Sequence, residues 1–162
     1  MFIRAVLIFI LMTLAPIASA QGASLAFGPL AQDTSAPVEI EADELTISQA
    51  DNSATFTGNV IISQGEMRLS APLVTVIYND ETSDIDALMA SGGVILVSGE
   101  EAAEADSAEY SVTDGIITMR GNVLLARGLN TLASEVMVVN LAEGTAVLSG
   151  RVRTILQPKS DQ

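Results

Sequence analysis

Glycine returns along this chain in a fixed context, and that recurrence limits the fold more than any other feature. Gly58, Gly92, Gly121 and Gly150 are separated by 34, 29 and 29 residues, and Val60, Val94, Val123 and Val152 follow them at two positions' distance. Two positions before stand Phe56, Ala90, Met119 and Leu148; four before stand Ala54, Leu88, Ile117 and Ala146. Four after come Ile62, Leu96, Leu125 and Thr154. Even offsets fall on one face of an extended strand, so each copy presents an apolar face, with Thr154 the one departure.

A second register mark, Ala42, Ala71, Ala105 and Ala133, alternates with the glycines. Leu69 stands two positions before Ala71. After the mark the apolar residues lie at odd offsets: Leu45 and Ile47, Val74 and Val76, Ala108 and Tyr110, Val136 and Val138. An uninterrupted strand would send those side chains to the opposite face, so the change of parity predicts a kink or bulge there. Pro72 stands at that place in one copy, where a central ladder tolerates it poorly. The unit is therefore a bent pair of strands of about 29 residues, stacked four times. Such a unit buries its apolar face only against its neighbours, and stacking makes one continuous interior. The recurrent glycine marks a corner or a close backbone approach.

Between residues 37 and 157 two-residue alternation rich in Val, Ile and Thr predominates, and groups such as "NDETSD" and "TDG" supply turns. "EEAAEADSAEYSV" has helix-forming composition, but it matches the strand register of the third copy and is expected to be a strand. The chain is thus expected to be all-β. A plain β-sandwich would show the same alternation, and each apolar residue taken singly fits a closed core equally well.

"MFIRAVLIFILMTLAPIASA" carries an early Arg4, an apolar run from Ala5 to Leu14 and small residues Ala18 and Ala20. It reads as a secretory signal peptide cut after Ala20; a retained anchor is the competing reading, but the apolar run is short of the about 20 residues a span needs. The expected organisation is a signal peptide at 1–20, an aperiodic flexible leader at 21–36, one domain at 37–157 and a tail at 158–162. The formal net charge is −13, and loss of Arg4 with the signal makes it −14. Such a surface repels phosphates and disfavours nucleic acid as a partner.

The chain has neither Cys nor His, which removes disulfides, zinc sites built on those ligands and His-based acid–base catalysis. Asp80, Thr82 and Asp84 have the alternate spacing of a calcium loop, but Ile85 replaces the Gly at position six and Ser91 the Glu at position twelve. Glu39 and Glu41 share a strand face, as a glycosidase carboxylate pair requires, yet only Phe27, Phe56, Tyr78 and Tyr110 offer aromatic rings after the signal. No metal, cofactor or catalytic residue is expected; the carboxylates read as solvated strand faces and turns.

The run "PVEIEADELTISQADNSATFTGNVIISQGEMRLSAPLVTVIYND", with "GGVILVSGEEAAEADSAEYSVTDGIITMRGNVLLARG" and "ASEVMVVN" after it, resembles the periplasmic lipopolysaccharide-transport bridge proteins, the LptA/OstA family. The resemblance covers nearly all of the chain after the leader. It implies a twisted, open β-jellyroll with a hydrophobic groove, and a non-catalytic carrier of lipopolysaccharide between the two membranes. It further implies an anchored inner-membrane transport partner at the N-terminal edge and an outer-membrane assembly partner at the C-terminal edge, with head-to-tail self-association also open. On that reading the groove is lined by Leu45, Ile47, Phe56, Val60, Ile62, Leu69, Val74, Val76, Leu88, Val94, Leu96, Ile117, Met119, Val123, Leu125, Val136, Val138, Leu148 and Val152. The edge strands carry Val38 and Ile40 at one end and Ala146, Leu148, Val152 and Leu156 at the other. Exposing a fourteen-carbon acyl chain to water costs about 11 kcal/mol at about 0.8 kcal/mol per methylene, so such a carrier must shield its cargo continuously. The alternative is a structural β-repeat scaffold or adhesin-like protein with a dry core and no lipid cargo.

Overall fold

The computed structural model describes residues 23–26 and 34–156. The expected signal peptide, the tail and much of the expected leader lie outside the described residues. The elements in chain order are β1 (Ala23–Ala26), β2 (Glu39–Glu41), β3 (Glu44–Ser48), β4 (Ser53–Gln64), β5 (Met67–Tyr78), β6 (Ile85–Ser98), β7 (Glu101–Ser111), β8 (Ile116–Arg127), β9 (Asn130–Asn140), β10 (Thr145–Ser149) and β11 (Arg153–Ile155). The doubtful Glu-Ala stretch is β7, as its register predicts.

The strands form one antiparallel sheet in the order β1-β10-β9-β8-β7-β6-β5-β4-β2, with β3 also on β4 and β11 also on β9. From β4 to β10 the chain is a meander of consecutive hairpins. The long strands bend midway, and their ladders shift register at the bend: between Thr57 and Val60, Ser70 and Leu73, Ser91 and Val94, Glu104 and Ser107, and Arg120 and Val123. The bends align into one corner line that divides the sheet into two walls. At the ends, two short strands share the work of one long one: β3 pairs with the first half of β4 and β2 with the second. β10 and β11 likewise divide β9.

The glycines make this corner. Gly58 and Gly121 have φ near +80°, and the Asn59 and Asn122 that follow are also left-handed, at +46° and +47°; asparagine is among the few side chains that accept this region. Beneath the four glycines lie Asp43, Pro72, Asp106 and Glu135, so that a Cβ on Gly58 would come within 2.6 Å of Asp43 Oδ2. Asn59 Nδ2 donates to Asp43 Oδ2 at 2.8 Å, and Asn122 Nδ2 to Asp106 Oδ2 at 2.9 Å. The expected corner, the close approach and the place of Pro72 are therefore features of one motif.

With the corner in place, the inward residues fall into rows across the sheet. One row runs Ile40, Ile62, Leu69, Leu96, Ala103, Leu125, Leu132 and Thr154; another runs Ala54, Val76, Leu88, Tyr110, Ile117, Val139 and Ala146. Val60, Val74, Val76, Ile117, Met119, Val139, Ala146 and Leu148 are at 0% exposure.

On β9 the expected lining is off by one residue. Met137 and Val139 are buried, whereas Val136 and Val138 are only half-buried and face the other way. The reason lies in the corner: the residue packed under Gly150 is Glu135, which makes Ser134, not Ala133, the counterpart of Ala42, Ala71 and Ala105. Ser134 is itself buried, and it pairs with Val123 as Ala105 pairs with Val94. The spacing from Gly58 to Ala71 and from Gly92 to Ala105 is 13 residues, which leads from Gly121 to Ser134.

Ala23–Ala26, inside the stretch expected to be an aperiodic leader, forms β1 and pairs with β10 through Ala23↔Leu148 to Ala26↔Thr145. The outer edge of β10 has N–H and C=O groups to satisfy, and an extended segment of any sequence can supply them.

Candidate functional site

The two walls close on each other. Tyr110 stands in the same cross-strand row as Ala54, ten positions along β4 from Gln64. In a flat sheet ten residues would separate them by ~33 Å along the strand axis alone. Instead Tyr110 Oη donates to Gln64 Oε1 at 2.6 Å, so the distal parts of the walls meet across the interior. Burial pushes the Tyr110 hydroxyl above its ordinary pKa, with the bond to Gln64 opposing.

Of the expected groove residues, Val60, Ile62, Leu69, Val74, Val76, Leu88, Val94, Leu96, Ile117, Met119, Val123, Leu125 and Leu148 are buried between the walls, and Phe56 packs against them half-buried. Residues outside that expectation complete the lining, notably Met67, Leu132, Met137 and Leu141. Leu141 and Met67 sit beside turns, beyond the reach of the glycine-centred pattern. Among the described residues, depressions lie on the outer side of the sheet: one at Asn59, Pro72 and Ile95, one at Gly93, Asp106 and Asn122, one at Asn122, Glu135 and Arg151, and one at Met89, Glu109 and Arg120. Between the walls the buried side chains form one hydrophobic cluster.

At both ends of the sheet the inward face comes to the surface. Leu45 pairs with Phe56 and Ile47 with Ala54, which places both on the inward face, yet they are 49% and 69% exposed. They were expected as lining and they form its open end. At the opposite end Val152, two residues before the Thr154 that pairs with Leu132, is 41% exposed and Leu156 is 69% exposed. The other expected edge residues are covered: Val38 and Ile40 pack against the core, and Ala146 and Leu148 lie in β10, beneath neither solvent nor a free edge, since β1 flanks that strand.

The inner face also has a polar border. At the hairpin ends of one wall, Gln64, Met67, Ser98, Glu101, Arg127 and Asn130 are in register with one another. Gln64 and Ser98 are 1% exposed and Glu101 is 3% exposed. Arg127 Nε lies 3.1 Å from Glu101 Oε1 as an ion pair, but neither carboxylate oxygen has a hydrogen-bond partner among the described residues. Burial pushes the Glu101 carboxyl above the usual carboxylate range, and Arg127 offsets only part of this.

The acidic stretches have local explanations. Asn79 Oδ1 accepts from the backbone N–H groups of Glu81 and Thr82, and Asn52 Nδ2 donates to Asp80 Oδ1, so the calcium-like spacing is a hydrogen-bonded hairpin turn. Glu39 and Glu41 are exposed on the outer face of β2. Among the described residues no group of three or more Asp or Glu is placed to hold a metal ion.

Comparison with known proteins sets these features in a family context. Residues 39–145 match the family described as LptA/(LptD N-terminal domain) LPS transport protein. An uncharacterized protein of Rhizobium meliloti (strain 1021) is 33% identical over 91% of this chain and 85% of its own length. The lipopolysaccharide export system protein LptH of Pseudomonas aeruginosa is 24% identical over 87% of this chain and 90% of its own. Escherichia coli (strain K12) LptA is 43% identical over a shorter stretch, 27% of this chain and 24% of that protein. The crystal structure of LptH, the LptA-homologous periplasmic component of the lipopolysaccharide transport device of P. aeruginosa, superposes with a TM-score of 0.69 at 16% identity, over 78% of this chain and 99% of that one.

Proposed function

The chain belongs to the LptA/LptD N-terminal domain family of lipopolysaccharide transport proteins, and from that premise we propose that it is a non-catalytic bridge subunit of the periplasm, shielding the acyl chains of lipopolysaccharide on their way to the outer membrane. The observation that carries this reading is the continuity of the apolar interior. Its rows run unbroken through β4 to β9, and among the described residues its inward face is exposed at both ends, at Leu45 and Ile47 and at Val152. A closed storage core would have no reason to leave both ends uncovered, whereas a conduit continued by its neighbours requires it.

Joining of neighbours follows from the same geometry. The β2–β3 end takes the anchored inner-membrane partner, and the end formed by β1 and β11 the outer-membrane partner or a further copy of this chain, each adding strands by backbone pairing. Docking a second copy head to tail would bring Leu45 and Ile47 against the Val152 end and remove both from water.

The surface charge sets the place of the head group. At net −14 the protein repels an anionic head group within about 8 Å at physiological ionic strength, so the sugar and phosphates stay outside while the chains enter. Arg68, Arg120, Arg127, Arg151 and Arg153 are the counter-charges among the described residues, Arg127 beside Glu101 and Arg151 beside Glu135.

The direct test is mass spectrometry of lipid released from the mature protein purified from its periplasm without detergent. Lipid A acyl chains in stoichiometric amount are expected. A protein free of lipid, whose depletion leaves outer-membrane lipopolysaccharide unchanged, would be the scaffold of the alternative reading.

A further inference from the structure

The described ends of the interior are open, but its side is shut, and one residue does most of the fastening. Gln64 uses its whole amide: Oε1 accepts from Tyr110 Oη at 2.6 Å, and Nε2 donates to the carbonyls of Thr34 and Ala36 at 3.1 and 2.9 Å. Tyr110 belongs to one wall and Gln64 to the rim of the other. Thr34 in turn lies against the Gly115 turn, at the end of the Tyr110 wall. The segment from Thr34 to Val38 therefore crosses the gap between the walls and is held on both sides of it.

The chemistry of the rim is unusual for a permanent closure. Gln64, Ser98 and Glu101 are all but fully buried, and Glu101 lacks hydrogen bonds to its carboxylate. At Glu101 an apolar residue would close the side more stably, because a buried carboxylate held by one ion pair and no hydrogen bond costs free energy that an isosteric hydrophobe does not. Polar residues are suited to a rim that is wet part of the time. The rows behind it are apolar, so the change of chemistry coincides with the seam.

We infer that Gln64, Tyr110 and the segment from Thr34 to Val38 form a latch on the lateral seam, and that an acyl chain enters between the walls when the latch is undone. This rests on the acyl-carrier reading given above. The latch closes the side of an empty subunit against water; opening exposes Gln64, Ser98 and Glu101 at the lip, and the apolar rows behind them receive the chain. The strap is short and joined to β2, so releasing it does not require unpairing the long ladders.

Two variants test the latch: Tyr110→Phe, which removes only the hydroxyl, and Gln64→Leu, which removes every bond of the fastening. The first readout needs no lipid. Hydrogen exchange at the amides of Val38 to Glu41 is expected to rise about 2- to 10-fold in Tyr110→Phe, the effect of one lost hydrogen bond, and further in Gln64→Leu, with the β8–β9 ladder unchanged. The second readout is the association rate of a fluorescent twelve-carbon acyl probe, expected to rise in each variant by the factor its exchange shows. Unchanged exchange at Val38 to Glu41, an equal rise in all ladders, or an unchanged association rate with a probe that binds would each overturn the latch. If exchange rises locally while neither the native protein nor the variants bind the probe, the latch as a closure stands and the acyl-carrier reading falls.

Discussion

Gly58 lies directly over the carboxylate of Asp43, and the same relation recurs between Gly121 and Asp106. The backbone at Gly58 is left-handed, at φ +81°, and the space where a side chain would begin is filled. Two separate penalties thus attach to any substitution. Gly58→Ala is expected to cost about 2–3 kcal/mol, roughly 1–2 of it from the dihedral alone. Gly93, also left-handed but with nothing within 4 Å of a Cβ, carries the first penalty only, so Gly93→Ala is expected to cost about 1 kcal/mol. Urea unfolding of the two variants measures the difference; equal losses would mean that the packing of Asp43 contributes nothing.

The register of β9 makes a second prediction. Met137 is 1% exposed and Val138 only half-buried. Met137→Ala is expected to cost about 2–4 kcal/mol as a cavity-forming change, and Val138→Ala less than about 1 kcal/mol. The reverse order would restore Ala133 as the corner mark and turn the strand over.

The buried Glu101 carboxyl is expected to give the fold a pH dependence whose sign follows from the direction of its shift. Its folded pKa is raised above 4.5, so over the interval from that value up to the folded pKa the native state binds more protons than the unfolded chain. Stability therefore falls as pH rises through this window and is greatest below it, the opposite of a salt-bridged carboxylate with a lowered pKa. Thermal unfolding between pH 4 and 7 is expected to show this component for the native protein and to lose it in Glu101→Gln, which keeps the shape and removes the charge. A variant with an unaltered pH profile would show that the carboxylate is solvated.

The uncovered end of the interior separates stability from assembly. Ile47 is 69% exposed, so Ile47→Glu is expected to change stability by less than about 0.5 kcal/mol. On the head-to-tail reading the same change buries a charge in the joint, and sedimentation at raised concentration is expected to show monomer where the native protein associates. Association that persists unchanged would place the joint elsewhere.

Much of this fold is legible in the sequence because the glycine repeat reports a backbone requirement and not a preference. Left-handed φ with a packed floor admits little else, so Gly58, Gly92, Gly121 and Gly150 mark the corner in every copy, and parity on either side of it assigns the rows. The alanine mark is weaker evidence. It records only a small inward residue, and Ser134 meets that need as well as Ala133 does, which is why the fourth copy is misread by one. Residues at the limits of the repeat were illegible for a different reason. Leu45 and Ile47 have the right parity, but nothing in the pattern says that no wall covers them. The Gln64–Tyr110 bond joins residues 46 positions apart in sequence, and its partners on the strap carry only backbone carbonyls, which have no signature in a sequence.

The central claim is that lipid passes between these walls, and Phe56 is the place to ask. It packs against the core half-buried near the open β3 end, and a photoreactive phenylalanine analogue replaces it with little change of shape. Irradiation of cells carrying this substitution is expected to give a covalent adduct with lipopolysaccharide, while the same analogue at Glu109, on the outer face, gives none. Absence of the adduct at Phe56 in a folded, exported protein, or equal capture at the two positions, would contradict the account.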